Sequence, residues 1–251
     1  MKRNPQLSYE EHRLITENVY EEVRDKDRID RLNIRNLVKK YGYKKAVNNL
    51  SLTVFKNEIL VLLGHNGAGK TTTISMLTGL EKATQGEASL TIEGRDINLL
   101  QDDADITDFI SVCPQVNILC EKMTVQENIK FFCKFKDVKN EDDEIERNLE
   151  LFNLAAKADT LACNLSGGQK RKLQLCITLL GDAQLVLLDE PTSGMDPTAR
   201  RETWDIIKQV KQDKIIILTT HYMDEAEVLA DRVAIISRGS LQCCGSPLYL
   251  K

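Results

Sequence analysis

Glu58-Ile59-Leu60-Val61-Leu62-Leu63-Gly64-His65-Asn66-Gly67-Ala68-Gly69-Lys70-Thr71-Thr72-Thr73 joins an apolar run, a glycine-rich turn and the start of a helical run without a break. The turn satisfies G-x-x-x-x-G-K-[ST] in the setting that pattern requires, with a strand candidate at residues 58–63 before it and a helical run at 72–80 after it. Glycines let main-chain N–H groups turn inward around phosphate oxygens, and a helix N-terminus adds a favourable dipole. Lys70 is long enough to reach the outer phosphate oxygens, and a hydroxyl at Thr71 is suited to Mg²⁺. Gly64, Asn66, Gly67, Gly69, Lys70, Thr71 and Thr72 are therefore the candidate binding residues for a nucleoside triphosphate.

Outward from this turn, short β-branched and Leu-rich runs alternate with helical stretches, at residues 51–55, 58–63, 89–93, 108–113, 184–188, 214–219 and 232–237. Apolar runs bounded by turn signals read as strands buried on both faces, and intervening helices place such strands in a largely parallel sheet. Between residues 120 and 165 no strand-like run occurs. Thr124 and Glu127 form a capping box there, and Asn140 precedes the acidic turn Glu141-Asp142-Asp143, so two helices are expected in a helical insert. Residues 1–31 are dense in charge of both signs and read as a solvated arm, with one helix at 9–24.

The chain has 251 residues, 42% hydrophobic and 29% charged, enough to bury a core and unlike a disordered or fibrous sequence. No run approaches the roughly 20 apolar residues of a membrane helix, and the N-terminus lacks the apolar stretch of a secretory signal. A net charge of −4 argues against a general nucleic-acid binder. Seven cysteines, without C-x-x-C spacing, point to a reducing compartment and to thiols acting as small core residues.

Leu185-Val186-Leu187-Leu188-Asp189-Glu190-Pro191 is an apolar strand ending in two carboxylates, where an open parallel sheet places its ligand crevice. Alternation turns the two side chains in opposite directions. Asp189 then suits the Mg²⁺ shell, and Glu190 suits orienting and deprotonating a water, so hydrolysis is expected rather than binding alone. Ser166-Gly167-Gly168-Gln169, ahead of a helical run at 170–180, forms a second anion site from free N–H groups, a hydroxyl and the positive end of a helix. Two phosphate sites separated by a helical insert are most simply reconciled if each completes the other across a dimer.

In the order of these elements the chain resembles the nucleotide-binding domain of ATP-binding cassette (ABC) transporters, over residues 32–251. The resemblance implies an α/β fold: a P-loop NTPase core of ABC type with an antiparallel β subdomain and an inserted helical subdomain at about residues 116–180. It implies ATP and Mg²⁺ as cofactors. It implies that Tyr41, rather than its rival Tyr43, stacks on adenine, and that Gln115 touches metal and water and relays nucleotide state to the insert. It further implies that Ser193-Gly194-Met195-Asp196-Pro197 crosses the dimer interface, Asp196 included, and that His221 contacts the γ-phosphate.

Finer wording is similar to the eukaryotic A subfamily, whose members mainly move lipids or sterols: residues 64–73, 113–119, Arg171-Lys172-Leu173 and 221–226. The partners this implies are a second nucleotide-binding domain and a membrane-spanning domain or subunit, with the chain at the cytoplasmic face of a membrane. Those proteins are long, with membrane helices and two cassettes, so this chain is expected to be a fragment or to join a separate membrane subunit. Two other readings are an ABC ATPase acting on nucleic acid or ribosomes, and a nucleotide-binding regulatory module without turnover; the first lacks visible coiled coils or basic segments, and the second needs a damaged motif.

Overall fold

A computed structural model describes residues 30–101, 106 and 108–251. The helix expected at 9–24, and all of the charged arm except Asp30 and Arg31, lie outside them. In chain order the elements are β1 (Arg31–Tyr41), β2 (Lys44–Phe55), β3 (Glu58–Leu63), α1 (Lys70–Leu77), β4 (Gln85–Ile92), β5 (Arg95–Asn98), β6 (Ile110–Cys113), α2 (Val125–Phe135), α3 (Glu141–Leu151), α4 (Gly167–Leu179), β7 (Leu185–Asp189), α5 (Pro197–Gln209), β8 (Ile215–Thr220), α6 (Met223–Leu229), β9 (Arg232–Ser237) and β10 (Ser240–Gly245).

Burial pattern separates the strands into two sheets. β3, β7 and β8 are buried at every position and form the middle of a six-stranded sheet, in the order β10-β9-β3-β8-β7-β6. Its pairs are parallel except β9 with β10. The second sheet, β2-β1-β4-β5, is antiparallel throughout. Residues 51–55 and 89–93, which the apolar-run pattern puts in the parallel sheet, belong to this second one. Their strands alternate fully buried with half-buried or exposed positions, and β2 returns from β1 through a tight turn rather than a helix, as antiparallel pairing permits.

β1 escapes the apolar-run pattern because Asn33, Arg35, Asn36, Lys39 and Lys40 interrupt it. Its pairing with β2 shifts register after Ile34, and Asn36 is left-handed at φ 48°. β5 and β10 are likewise too short or too polar to register as runs.

β3 divides its side chains between two cores. Ile59, Val61 and Leu63 face a cluster containing Val125, Leu173 and Trp204, whereas Leu60 and Leu62 face one containing Leu32, Leu50, Leu90 and Leu77. At roughly 1.5–3 kcal/mol for each fully buried aliphatic side chain, this double use makes β3 the strand on which both layers depend.

Between residues 120 and 165 the described chain has no named strand, and its one isolated bridge joins Thr124 to Leu161. α2 carries the expected capping box, with both Thr124 and Glu127 bonds present. At α3, Asn140 is left-handed and its side chain makes no capping bond, so four acidic residues in the first turn supply the favourable charge at that end. The Lys136 ammonium after α2 donates to Ile177 O (3.0 Å), Thr178 O (3.0 Å) and Leu180 O (3.1 Å) at the end of α4, and to Ser111 Oγ on β6 (3.0 Å). That single side chain ties the helical segment to the sheet. Among the described residues, no helix is long and apolar enough to cross a membrane.

Candidate functional site

The C-terminal ends of β3, β7 and β8 converge on the glycine-rich turn. α1 begins at Lys70 directly after Gly69, which is left-handed at φ 108°. A Cβ at Gly69 would collide with Ala46 O on β2, so only glycine fits there. The β9–β10 turn closes on the same region: Gly239 N–H donates to Ala68 O (2.9 Å), Asn48 N–H donates to Gly239 O (2.8 Å), and a Cβ at Gly239 would lie 2.6 Å from Ala46 O. Lys70 is 5% exposed and donates to Gly64 O (2.7 Å) and His65 O (3.2 Å). Burial lowers its pKa, while the negative charges of Glu190 and Asp189 act in the opposite direction.

Thr71 Oγ1 donates to Asp189 Oδ1 at 3.2 Å. Asp189 is 3% exposed and also accepts a bond from the Thr219 hydroxyl. Both hydroxyl and carboxylate are hard oxygen donors on one side of the turn. That set fits a small divalent cation, which takes one or two protein oxygens and completes its shell with phosphate oxygens and water.

Glu190 departs from strand geometry at φ 47°, and its N–H donates toward Thr219 O (3.2 Å) and Thr219 Oγ1 (3.1 Å). This turn sends its carboxylate away from Asp189. Oε2 accepts from Gln115 Nε2 (3.3 Å), and Oε1 lies 3.2 Å from His221 Nδ1. The three residues thus form one polar bridge across the ends of β6, β7 and β8.

A cleft of about 350 Å³ opens beside them, lined by Tyr41, Asn66, Gly67, Gly69, Lys70, Thr71, Thr72, Gln115 and Glu190. Lys44 and Ala46 line it too, and no motif in the sequence marked them. Tyr41 is 47% exposed with the Lys39 ammonium 4.9 Å from its ring centroid, and Lys39 pairs with Glu81 at 2.6 Å. Tyr43 is fully exposed and does not line the cleft. Thr219 was also missed; its signal lies in cross-strand register, which sets it opposite Asp189.

Ser166 to Gln169 lie elsewhere, outside the set of residues that line the cleft. Ser166 caps α4 in a full capping box: its Oγ accepts from Gln169 N–H, and Gln169 Oε1 accepts from Ser166 N–H. Open space surrounds the Cβ positions of Gly167 and Gly168. Asp196 does not line the cleft either. Its Oδ1 accepts from Thr198 and Ala199 N–H at 3.0 Å each, capping α5, and these bonds hold its pKa below the usual value. Met195 beside it is buried against the Thr203 hydroxyl.

The sequence pattern of the ABC transporter family matches residues 47–193, more than half of the chain. The chain belongs to the ABC transporter family. The cassette is 47% identical over 216 residues to "ATP-binding cassette sub-family A member 2" of Rattus norvegicus, covering 85% of the chain but 9% of that protein. It is 42% identical over 240 residues to "Phospholipid-transporting ATPase ABCA3" of Mus musculus, covering 93% of the chain and 14% of that protein. The cassette therefore spans only a small part of the length of these relatives. Among solved structures, the ATP binding subunit of an ABC transporter superposes with a TM-score of 0.75 at 26% identity, over 86% of this chain and 90% of that one. The fold is that of ABC ATPase domains, and the cassette is a nucleotide-binding domain.

Proposed function

We propose that this cassette binds ATP with Mg²⁺ and hydrolyses it at a site completed by a second cassette, driving movement of a phospholipid-class cargo by a longer transporter. The observation that carries this reading is the Glu190 carboxylate, bridged to Gln115 and His221 beside a cleft that also holds Lys70 and Thr71. Lys70 and the main-chain N–H groups of residues 64–71 hold the triphosphate, and Tyr41 offers its open ring to the base. Thr71 and Asp189 would hold Mg²⁺, which neutralises charge on the phosphate oxygens. Glu190 orients a water and accepts its proton, and Gln115 and His221 fix the carboxylate that does so.

The second anion site explains the dimer. Ser166 is exposed, open space surrounds the Cβ position of Gly168 and neither lines its own cleft, so their donors suit the γ-phosphate held by another cassette, with Asp196 in the loop between the two. The same reading divides the chain into an arm at residues 1–31 and an ATPase domain at 32–251, with a helical subdomain at about 116–180. A membrane-spanning domain is the partner. An apolar segment of it would seat in the groove of about 320 Å³ lined by Ile110, Pro114, Ile118, Phe132 and Phe135, with the cassette at the cytoplasmic face. The phospholipid class rests on the similarity to the phospholipid-transporting ATPase ABCA3.

The test is ATP turnover per molecule over a wide range of protein concentration. It is expected to rise with concentration, and Ser166→Arg is expected to abolish it while leaving nucleotide binding by the dilute chain intact. Turnover that stays constant under dilution would refute the shared site.

A further inference from the structure

Arg171 lies in the second turn of α4 and is 3% exposed. A guanidinium has five N–H donors in a fixed fork, and here all three nitrogens are engaged. Nε donates to Pro191 O (2.9 Å). Nη1 donates to Pro114 O (2.5 Å), Gln115 O (3.3 Å) and Asn117 Oδ1 (3.2 Å). Nη2 donates to Asp189 O (2.8 Å) and Glu190 O (3.0 Å). Five of the six acceptors are main-chain carbonyls, drawn from the two segments that carry Gln115, Asp189 and Glu190.

The arrangement is specific in what it fixes. Glu190 is left-handed without being glycine, a conformation that persists only where surrounding bonds over-determine it. Its N–H is held by Thr219 and its carbonyl by Arg171, so the carboxylate direction depends on both. Arg171 is also anchored on the helix that Ser166 caps and that begins with Gly167-Gly168. At about 1.5 Å rise per residue, the guanidinium's helix position is less than two turns from the exposed cap. A buried cation in a saturated fork transmits displacement rather than absorbing it, because any tilt of α4 breaks bonds that the interior cannot replace.

We propose that Arg171 is a positioning residue that couples the two nucleotide sites of a dimer. When Ser166 and Gly168 engage the nucleotide of a second cassette, α4 carries that contact through Arg171 to Gln115 and Glu190 of its own cleft. The reverse holds by linkage: occupancy of the cleft sets the poise of α4 toward the other site. This rests on the two-cassette reading above.

The experiment compares the 251-residue chain with Arg171→Lys and Arg171→Met. It measures turnover against ATP concentration, binding of a non-hydrolysable ATP analogue to the dilute chain, and thermal unfolding. An ammonium offers three donors at one point and cannot span both segments, so Arg171→Lys is expected to fail as Arg171→Met does. Both should bind the analogue within about threefold of the parent chain while turnover at saturating ATP falls at least about tenfold, within the range of about 5- to 150-fold for coupled sites. The sigmoidal ATP dependence of the parent should become hyperbolic. Arg171→Gln replaces the methionine variant if that one does not fold. Parental turnover in Arg171→Lys overturns the inference, and so does lost turnover with sigmoidal dependence retained, which would reduce Arg171 to a local prop. Turnover of the parent chain independent of its concentration removes the two-cassette reading and the coupling together; concentration-dependent turnover with an unchanged Arg171→Lys removes the coupling alone.

Discussion

Asp189 and Thr219 stand opposite each other on adjacent parallel strands, and the Thr219 hydroxyl that bonds the Asp189 carboxylate also receives the Glu190 N–H. One oxygen atom therefore links the Asp189 carboxylate to the main chain that carries Glu190. Thr219→Val keeps the shape and removes the hydroxyl. It is expected to cost about 1 kcal/mol of stability, because the buried Asp189 carboxylate loses one of its two hydroxyl donors while the Glu190 N–H keeps Thr219 O. Turnover should fall while nucleotide affinity changes little, which chemical denaturation together with equilibrium binding and steady-state kinetics will check.

Glu190→Gln preserves the size of the side chain and the bond to Gln115 but removes the base. Turnover is expected to drop about 10²–10⁴-fold, the usual worth of a positioned general base. ATP binding should persist and a closed dimer should accumulate with ATP, as read by size-exclusion chromatography. Unchanged turnover would take Glu190 out of that role.

Lys70→Ala removes the ammonium now bonded to Gly64 O and His65 O. Loss of charged hydrogen bonds to phosphate, about 1.5–3 kcal/mol, should weaken ATP affinity roughly 10- to 100-fold. A normal nucleotide titration would count against the assignment of the turn.

Lys136 yields a pH signature. Burial pushes its ammonium down to about 8, against the four oxygens that surround it. Below that pH the group is charged in both folded and unfolded chains, and its burial cost is constant. Above about 8 the folded chain releases the proton first, so the unfolded chain holds more protons and the folded state gains up to about 1.4 kcal/mol per pH unit until the ordinary lysine value is reached. The stability difference between the parent chain and Lys136→Met should therefore be flat from neutral pH to about 8 and rise beyond it. Denaturant titrations across that range will show this, and a difference that stays flat to about pH 10 would return Lys136 to ordinary behaviour.

The phosphate-binding turn and β3 were legible because their signal is continuous in the chain: five apolar residues from Ile59 to Leu63, then glycines at fixed offsets, then a helix start. The same holds for the α2 capping box, where Thr124 and Glu127 act within one turn. The antiparallel sheet was harder to read. β1 mixes charge into every turn of its alternation and bulges at Asn36, so periodicity fails where pairing succeeds. Thr219, Lys44 and Ala46 gain their places from strand register and from the approach of one sheet to the other, relations with no fixed spacing in sequence. Arg171 was visible as a residue but not as a bridge, because its acceptors are carbonyls that every residue possesses.

Gly69 and Gly239 crowd a single carbonyl, that of Ala46, from two distant parts of the chain. A systematic alanine survey would misassign them. Replacing either should weaken nucleotide retention, and in both cases the loss would report a methyl group forced against β2 on a left-handed backbone rather than a side-chain contact with ligand. Gly239 in particular would be scored as part of the binding surface although it is a hairpin residue whose contribution is to leave room.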